Sequence, residues 1–526
     1  MPDWGRSVSW IIATVLFLAA APADALTLRV ASRGDVLSMD PHSLFESLQM
    51  GFLSNVYEPL LTRDKDMRLA PALATAWEQR KPNVWRFTLR RGVRFHDGQP
   101  FDADDVVFSF ARIASDASDL RSTVADIREV RKVDAYTVDI ETTRPQPVLP
   151  EMLPVVFIMS RAWCVEVGAE RPVDRRSRRE NAASLRASGT GPYRLARREP
   201  GVRTALVRHA AWWGTRQGNV EDVAFMPIAS DAARLAALMS GEVDWIDPVP
   251  LQDVEALRAA GFKVLQGPEL RTIFLGMDQH RDTLLFGQAD GNPFRDPRVR
   301  RAIYQAIDVQ AIHDRVMRGA SVPAGLVVGP GVRGYPPTLD QRLPYDVEAA
   351  RTLLAQAGHA RGFDVGLHCP NDRYVNDAAI CQAVAAQLAR IGVRVALHAE
   401  SKSIWFPRLL RRDTSFYLFG WVPPTLDAHN ALFNLVATPG EQGRGQYNAG
   451  GYSNPEIDRL TARIDNELDP ARRDAMLRDA LRLHRDDIGH IPLHQQTLAW
   501  GTVKRLSVRQ LPDGVMRFDW AVLADR

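Results

Sequence analysis

The segment LRRGVRFHDGQPFDADDVVFSF, Leu89–Phe110, is the stretch from which the rest of the chain can be ordered. Trp85, Phe87 and Leu89 alternate with Arg86, Thr88 and Arg90, the period of a half-buried strand. Arg91-Gly92 and Asp97-Gly98 supply turn chemistry, because glycine reaches positive φ without a Cβ clash. Asp102 is placed to cap a helix whose Ala103, Val106, Val107, Phe110 and Ala111 share one face. The residues predict a hairpin running into an amphipathic helix. The cluster His96, Asp97, Asp102, Asp104 and Asp105 has the residue types of acid–base or metal chemistry. However, Asp97-Gly98 suits a turn, and Asp102 to Asp105 suit a helix N-terminus, where carboxylates meet the positive end of the dipole. The structural reading is the stronger.

At 526 residues the chain exceeds one ordinary core, so two or three domains are expected. Hydrophobic residues at 45% and charged residues at 25% fit a soluble globular protein. The 66 basic and 63 acidic residues nearly cancel, and no nucleic-acid-binding motif occurs, so nucleic acid is not an expected partner. Ser7 to Ala23 is uncharged and contains the apolar run Ile11–Ala21 behind Arg6, with Ala23-Asp24-Ala25 offering small residues for cleavage. This reads as a secretory signal peptide leaving Leu26 as the first mature residue, too short for a spanning helix. Of the three cysteines, Cys369 and Cys381 lie 12 apart, at a strand end and on the following helix. In an oxidising compartment they form a disulfide or stay buried thiols, and spacing leaves both open. Three cysteines are too few for a structural zinc site.

Outward from the opening segment, Leu26, Leu28 and Val30 alternate as a first strand, SMDPHS (Ser38–Ser43) forms a loop, and Leu48–Leu61 reads as an apolar helix. Asp126–Ile140 alternates again. The arginine-rich run Glu170–Arg186 reads as a solvated loop. Gly189-Thr190-Gly191-Pro192-Tyr193 lacks the spacing and lysine of a phosphate loop. Asp346–Ala357 and Asp377–Ile391 are helices stopped by Gly358 and Gly392, each leading into an alternating strand. Strands and helices alternating at this length predict parallel sheets covered by helices. No G-x-S-x-G nucleophile elbow occurs. His490 and His494 fall on a strand, where two same-face histidines make only a weak metal candidate.

Two stretches offer a pocket. In FYLFGWVPPTLDAHN, Phe416–Asn430, an apolar strand ends at Gly420-Trp421 and opens into a polar loop, where open α/β sheets place ligands. In CPNDRYVND, Cys369–Asp377, another strand end presents Arg373 and Tyr374. On the residues alone, Trp421 reads as a core tryptophan and Arg373 as a solvated arginine.

The opening segment, GTGPY at Gly189–Tyr193, GEVDW at Gly241–Trp245, DPRVRRAI at Asp296–Ile303, YDVEAARTLLAQAG at Tyr345–Gly358 and YSNPEIDRL at Tyr452–Leu460 lie in order along nearly the whole mature chain. Together they resemble the extracytoplasmic solute-binding family 5 of ABC importers, the dipeptide- and oligopeptide-binding type. The resemblance implies an α/β, type II periplasmic-binding-protein clamp of two lobes, with mixed sheets flanked by helices and an extra inserted domain. Lobe one would be 26–57, 188–270 and 491–526, the inserted domain 58–187, and lobe two 271–490. It also implies a monomeric periplasmic receptor, without cofactor, metal or catalysis. That receptor would pass a peptide or similar polar solute to an ABC permease and ATPase complex. Trp421, Tyr374, His429 and Asn430 would line the site, Asp427 would take a cationic group and Arg373 an anionic one. In peptide binders an aspartate three residues after the tryptophan matching Trp421 holds the α-amino group; here that position is Pro424. The departure keeps a non-peptide solute (an oligosaccharide, an opine or a metal chelate) in play, with an exported hydrolase as the reading from another class.

Overall fold

The computed structural model describes residues 26–173, 180–441 and 443–524; the expected signal peptide and the centre of the arginine-rich run lie outside the described residues. Its spine is a pair of long antiparallel strands, Lys263–Met277 and His490–Thr502. Their lower halves belong to one sheet region, through Trp245–Asp247, Thr27–Ser32, Asp222–Pro227, Arg203–Arg208 and Tyr193–Glu199. Their upper halves belong to another, through Phe416–Trp421, Asp364–Pro370 and Arg394–Glu400. At the crossing, Pro268 pairs with Thr497 and Thr272 with Gln495, so residues 269–271 stand opposite Gln496 alone. Extra residues on one strand bend it and strengthen its twist, which turns one sheet region against the other.

The two helix–strand units form as expected. Asp346 caps Val347–Gln356, which packs on helix Pro297–Ala306, and strands Asp364–Pro370 and Arg394–Glu400 pair in parallel beneath Asp377–Leu388. Mixed sheets flanked by helices are the observed architecture. The opening segment contributes strand Val84–Leu89 and helix Ala103–Ile113, whose N-terminus is closed by a reciprocal capping box of Asp102 and Asp105. That strand sits in a separate four-stranded antiparallel sheet with Ala74–Lys81, Thr137–Thr142 and Ile127–Asp134.

Three details differ from the sequence pattern. Asp126–Ile140 is a hairpin, because Asp134 accepts the Tyr136 amide and closes a turn. The expected helix over Leu48–Leu61 stops at Leu53, where Asn55 donates to Gly51 and Phe52 and reaches the carbonyl of Met516. On helix Ala103–Ile113, Ala111 is exposed while Arg112 is buried, paired with Asp40 by two hydrogen bonds of 2.8 and 2.6 Å. His490 and His494 are both buried, but the register slips between their partners Gly276 and Ile273, which puts them on opposite faces. They cannot share a metal. The glycine-rich Gly189–Tyr193 packs on the chain at residues 55–57: a Cβ at Gly189 would stand 2.0 Å from the Val56 carbonyl oxygen. Cys369 and Cys381 are joined as a disulfide, and Cys164 is a buried thiol.

Candidate ligand cleft

A cavity of about 490 Å³ lies among the segments 45–72, 154–157, 192–217 and 513–520. Glu46, Glu58, Trp212 and Trp213 line it from one side, and Val422 and Pro424 reach it from the loop after strand Phe416–Trp421. Its deepest polar group is Glu58, 7% exposed. The Trp212 indole donates to Oε1 at 3.1 Å and the Trp213 indole to Oε2 at 2.7 Å. Burial pushes the Glu58 carboxyl up to about 7, even though these indole donors pull the other way. The Arg90 guanidinium stacks 4.0 Å over the Trp213 ring, which fixes the indole from behind.

Behind the loop that carries Val422 and Pro424, the loop closed by the Cys369–Cys381 disulfide carries Arg373 and Tyr374, which do not themselves line the cavity. The Tyr374 hydroxyl accepts from the Gly420 amide at 3.0 Å and from Arg373 Nε at 3.0 Å. The Arg373 guanidinium lies 5.4 Å over the Phe406 ring. Trp421 packs on Tyr447 at 4.9 Å, and its indole donates to Asn430 Oδ1 at 3.1 Å. Arg271, from the crossing point of the long strands, pairs with Glu269 at 3.0 Å and faces the Tyr374 ring. Gln496 ties the same point to the loop, donating to Glu269 at 2.7 Å and accepting the Val375 amide at 2.9 Å.

The expected site residues thus divide. Arg373, Tyr374, Trp421 and Asn430 form one connected cluster next to the loop whose Val422 and Pro424 reach the cavity. Asp427 does not join it: it is 1% exposed, and both oxygens are held by Arg473 at 2.6 and 3.0 Å. One of them also caps the short helix beginning at Ala428. A carboxylate so committed has no lone pair to offer a ligand ammonium without breaking a buried ion pair. His429 is buried against Phe433 and bonded to the Thr461 carbonyl at 3.1 Å. Glu58, Trp212 and Trp213 were not singled out from sequence. They come together only in the fold, although the adjacent Trp212-Trp213 pair was a visible aromatic signal.

A bent sheet with a cavity beside it, lined by aromatics and a few charged groups, is the architecture of a solute-binding protein. The family model for bacterial extracellular solute-binding proteins, family 5 (middle), matches residues 68–443, and the chain belongs to that family. Among curated relatives, the glutathione-binding protein GsiB of Pectobacterium atrosepticum is 26% identical over 536 residues, covering 98% of each chain. Among solved structures, the Helicobacter pylori periplasmic binding protein DppA, in complex with the peptide STSA, superposes with a TM-score of 0.80. It is 22% identical and covers 95% of this chain and 98% of its own. AgaA from A. tumefaciens R10, in complex with agropinic acid, gives a TM-score of 0.76 at 21% identity, covering 91% and 94%. At these identities the structural likeness is one of fold.

Proposed function

We propose that this family member is exported to the periplasm and acts there as a monomeric receptor without covalent chemistry on its ligand. It captures a polar solute by closing lobe two (271–490) onto lobe one (26–57, 188–270, 491–526) and the inserted domain (58–187), then docks on its ABC permease and ATPase complex. The observation that carries this reading is the cavity lined from both sides of the bent strand pair, with Glu58 and Trp213 facing Val422 and Pro424. A solute touching both walls favours the closed form by its differential affinity alone. Trp421 and Tyr374 wall the ligand and Arg373 takes an anionic group; Asp427 and His429 support the loop from behind.

A second reading within binding rests on Pro424. It lines the cavity at the position where peptide binders of this family carry the amine-holding aspartate, and proline offers no charge. That favours a solute without a free α-ammonium anchor there, such as an opine, over a simple dipeptide. Thermal-shift screening against dipeptides, tripeptides, glutathione and opines separates the two. Saturation at about 100 times Kd stabilises by about 2.7 kcal/mol. A shift with unrelated dipeptides as large as with glutathione or opines would sink the second reading; no shift and no compaction by small-angle scattering with any solute would sink the first.

A further inference from the structure

Among the described residues, segments 58–187 and 271–490 touch without sharing an apolar core. Buried residues of the first, such as Leu73 and Phe157, pack with Phe52 and Tyr57. Those of the second, such as Ile303 and Leu481, belong to another cluster, which the half-buried Met67 meets from across the boundary. A gap of about 450 Å³ remains between the segments, lined by Arg63, Leu69 and Glu151 on one side and Val332, Arg333 and Leu426 on the other. A permanent core is packed too densely to hold such an opening. Two polar contacts cross the boundary. Arg144, just after strand Thr137–Thr142, pairs at 2.6 Å with Asp465, the residue that ends helix Pro455–Ile464 and is 4% exposed. On its own side Arg144 is steadied by Asp126 at 2.9 Å. Arg63 is anchored by Glu151 at 2.9 Å and the Met67 carbonyl at 3.2 Å, and donates across to the Thr425 carbonyl at 3.2 Å. Thr425 lies in the loop whose Val422 and Pro424 reach the ligand cavity, and Arg63 lines that cavity too.

Polar contacts across a loosely packed boundary part and reform readily, because water solvates the groups that separate. We propose that Arg144–Asp465 and Arg63–Thr425 form a two-point latch through which the inserted domain holds lobe two in the closed form. The inference rests on the receptor reading above and gives the inserted domain a part in setting solute affinity. Arg144 and Asp465 are positioning residues, since neither lines the cavity. Arg63 couples the latch to the solute: a solute that fixes the loop carrying Pro424 also fixes the Thr425 carbonyl that Arg63 grips. Because Asp126 and Glu151 hold the two arginines ready, little side-chain freedom is lost on latching. A partly exposed ion pair contributes modestly, so the latch biases closure and still lets the solute leave.

The test is a double-mutant cycle on the mature protein: Arg144→Gln, Asp465→Asn and the two together. Small-angle scattering reads closure, and calorimetry reads affinity. The probe is whichever of glutathione, the dipeptide Met-Leu, agropinic acid or the co-purified solute compacts the parent. Each single variant should bind that probe roughly three- to tenfold more weakly, through faster release, and should be more expanded than the parent without solute. The double variant should be no weaker than the singles, because the second substitution removes a contact already lost. The urea midpoint should stay close to that of the parent, since the pair bridges no shared core. Unchanged affinity in either single variant, with or without a lower midpoint, overturns the latch and leaves the receptor reading standing; so do losses that add in the double variant. Absence of compaction of the parent with all four probes overturns the receptor reading and the latch with it.

Discussion

Two arginine clusters in this chain carry similar charge in opposite states of completion. Arg112 is wholly enclosed: its Nη1 and Nη2 grip Asp40, its Nε donates to the Ala169 carbonyl at 3.0 Å, and Nη1 also meets His42 Nδ1 at 2.9 Å. Burial alone would raise the Asp40 carboxyl, but the charge and hydrogen bonds of Arg112 outweigh it and hold it below the ordinary range. His42 is kept neutral, pushed down to about 3 by burial and then by Arg112, with its other nitrogen 2.9 Å from the Phe157 carbonyl. In the second cluster Arg271 is matched by Glu269, while the Arg373 side chain donates to the neutral Tyr374 hydroxyl and lies over aromatic rings. The comparison separates charge that is fully compensated inside the fold from charge that the fold leaves without a carboxylate partner. A buried ion with every donor used has nothing left for a ligand, which is also why Asp427, locked to Arg473, belongs with the first kind.

The sharpest way to break this distinction is to remove one arginine from each cluster. Arg112→Met leaves the Asp40 carboxylate buried without its partner, and stability should fall by about 3–5 kcal/mol in urea unfolding. Arg373→Met removes a cation stacked on rings and bonded to a hydroxyl, and should leave the urea midpoint within about 1 kcal/mol of the parent. Affinity for the solute should respond the other way, lost in Arg373→Met and kept by whatever Arg112→Met protein remains folded. Equal losses of stability in the two variants would mean that the cleft wall is structural after all.

How far this could be read from the sequence follows the same division. Periodicity and capping residues marked the strand before Gly92, the helix after Asp102 and both helix–strand units, because those signals are local. Arg373 and Tyr374 were visible as a strand-end loop, and the structure ties that loop to the end of strand Phe416–Trp421. Arg112 was not legible as a buried residue, since nothing within a helical turn announces that Asp40, 72 positions earlier, will meet it. Asp427 misled for the mirror reason: an aspartate in a polar loop looks available until the helix carrying Arg473 packs behind it. Glu58 and Lys402 gain their character only when distant segments desolvate them, and desolvation leaves no mark on the chain itself.

Glu58 sharpens the comparison from between the two extremes, being buried like Asp40 yet hydrogen-bonded by neutral indoles rather than by an arginine. Its carboxyl, raised from 4.5 to about 7, is worth on the order of 3 kcal/mol. Because the folded protein holds this proton more tightly than the unfolded chain, the contribution is full below about pH 4.5 and is lost as pH rises through about 7. The difference in unfolding free energy between the parent and Glu58→Gln, followed from pH 4 to 8, isolates this slope from that of the buried histidines. The parent should lose ground to the variant as pH rises; a difference that stays level would place Glu58 among the compensated carboxylates.

The smallest expected effect tests whether the cleft wall is held in place before any ligand arrives. Asn430 accepts the Trp421 indole at 3.1 Å and is itself followed by an ordered turn, its carbonyl accepting from Asn434 at 2.8 Å. Asn430→Ala should cost about 1 kcal/mol, the net worth of one neutral hydrogen bond whose donor keeps some access to water. Its larger consequence should fall on binding, since an indole free to turn away from Tyr447 loses the orientation that makes it a wall. A few-fold weaker affinity with an almost unchanged urea midpoint is the expected result. A change in stability with no change in affinity would remove Trp421 from the ligand surface and return it to the core.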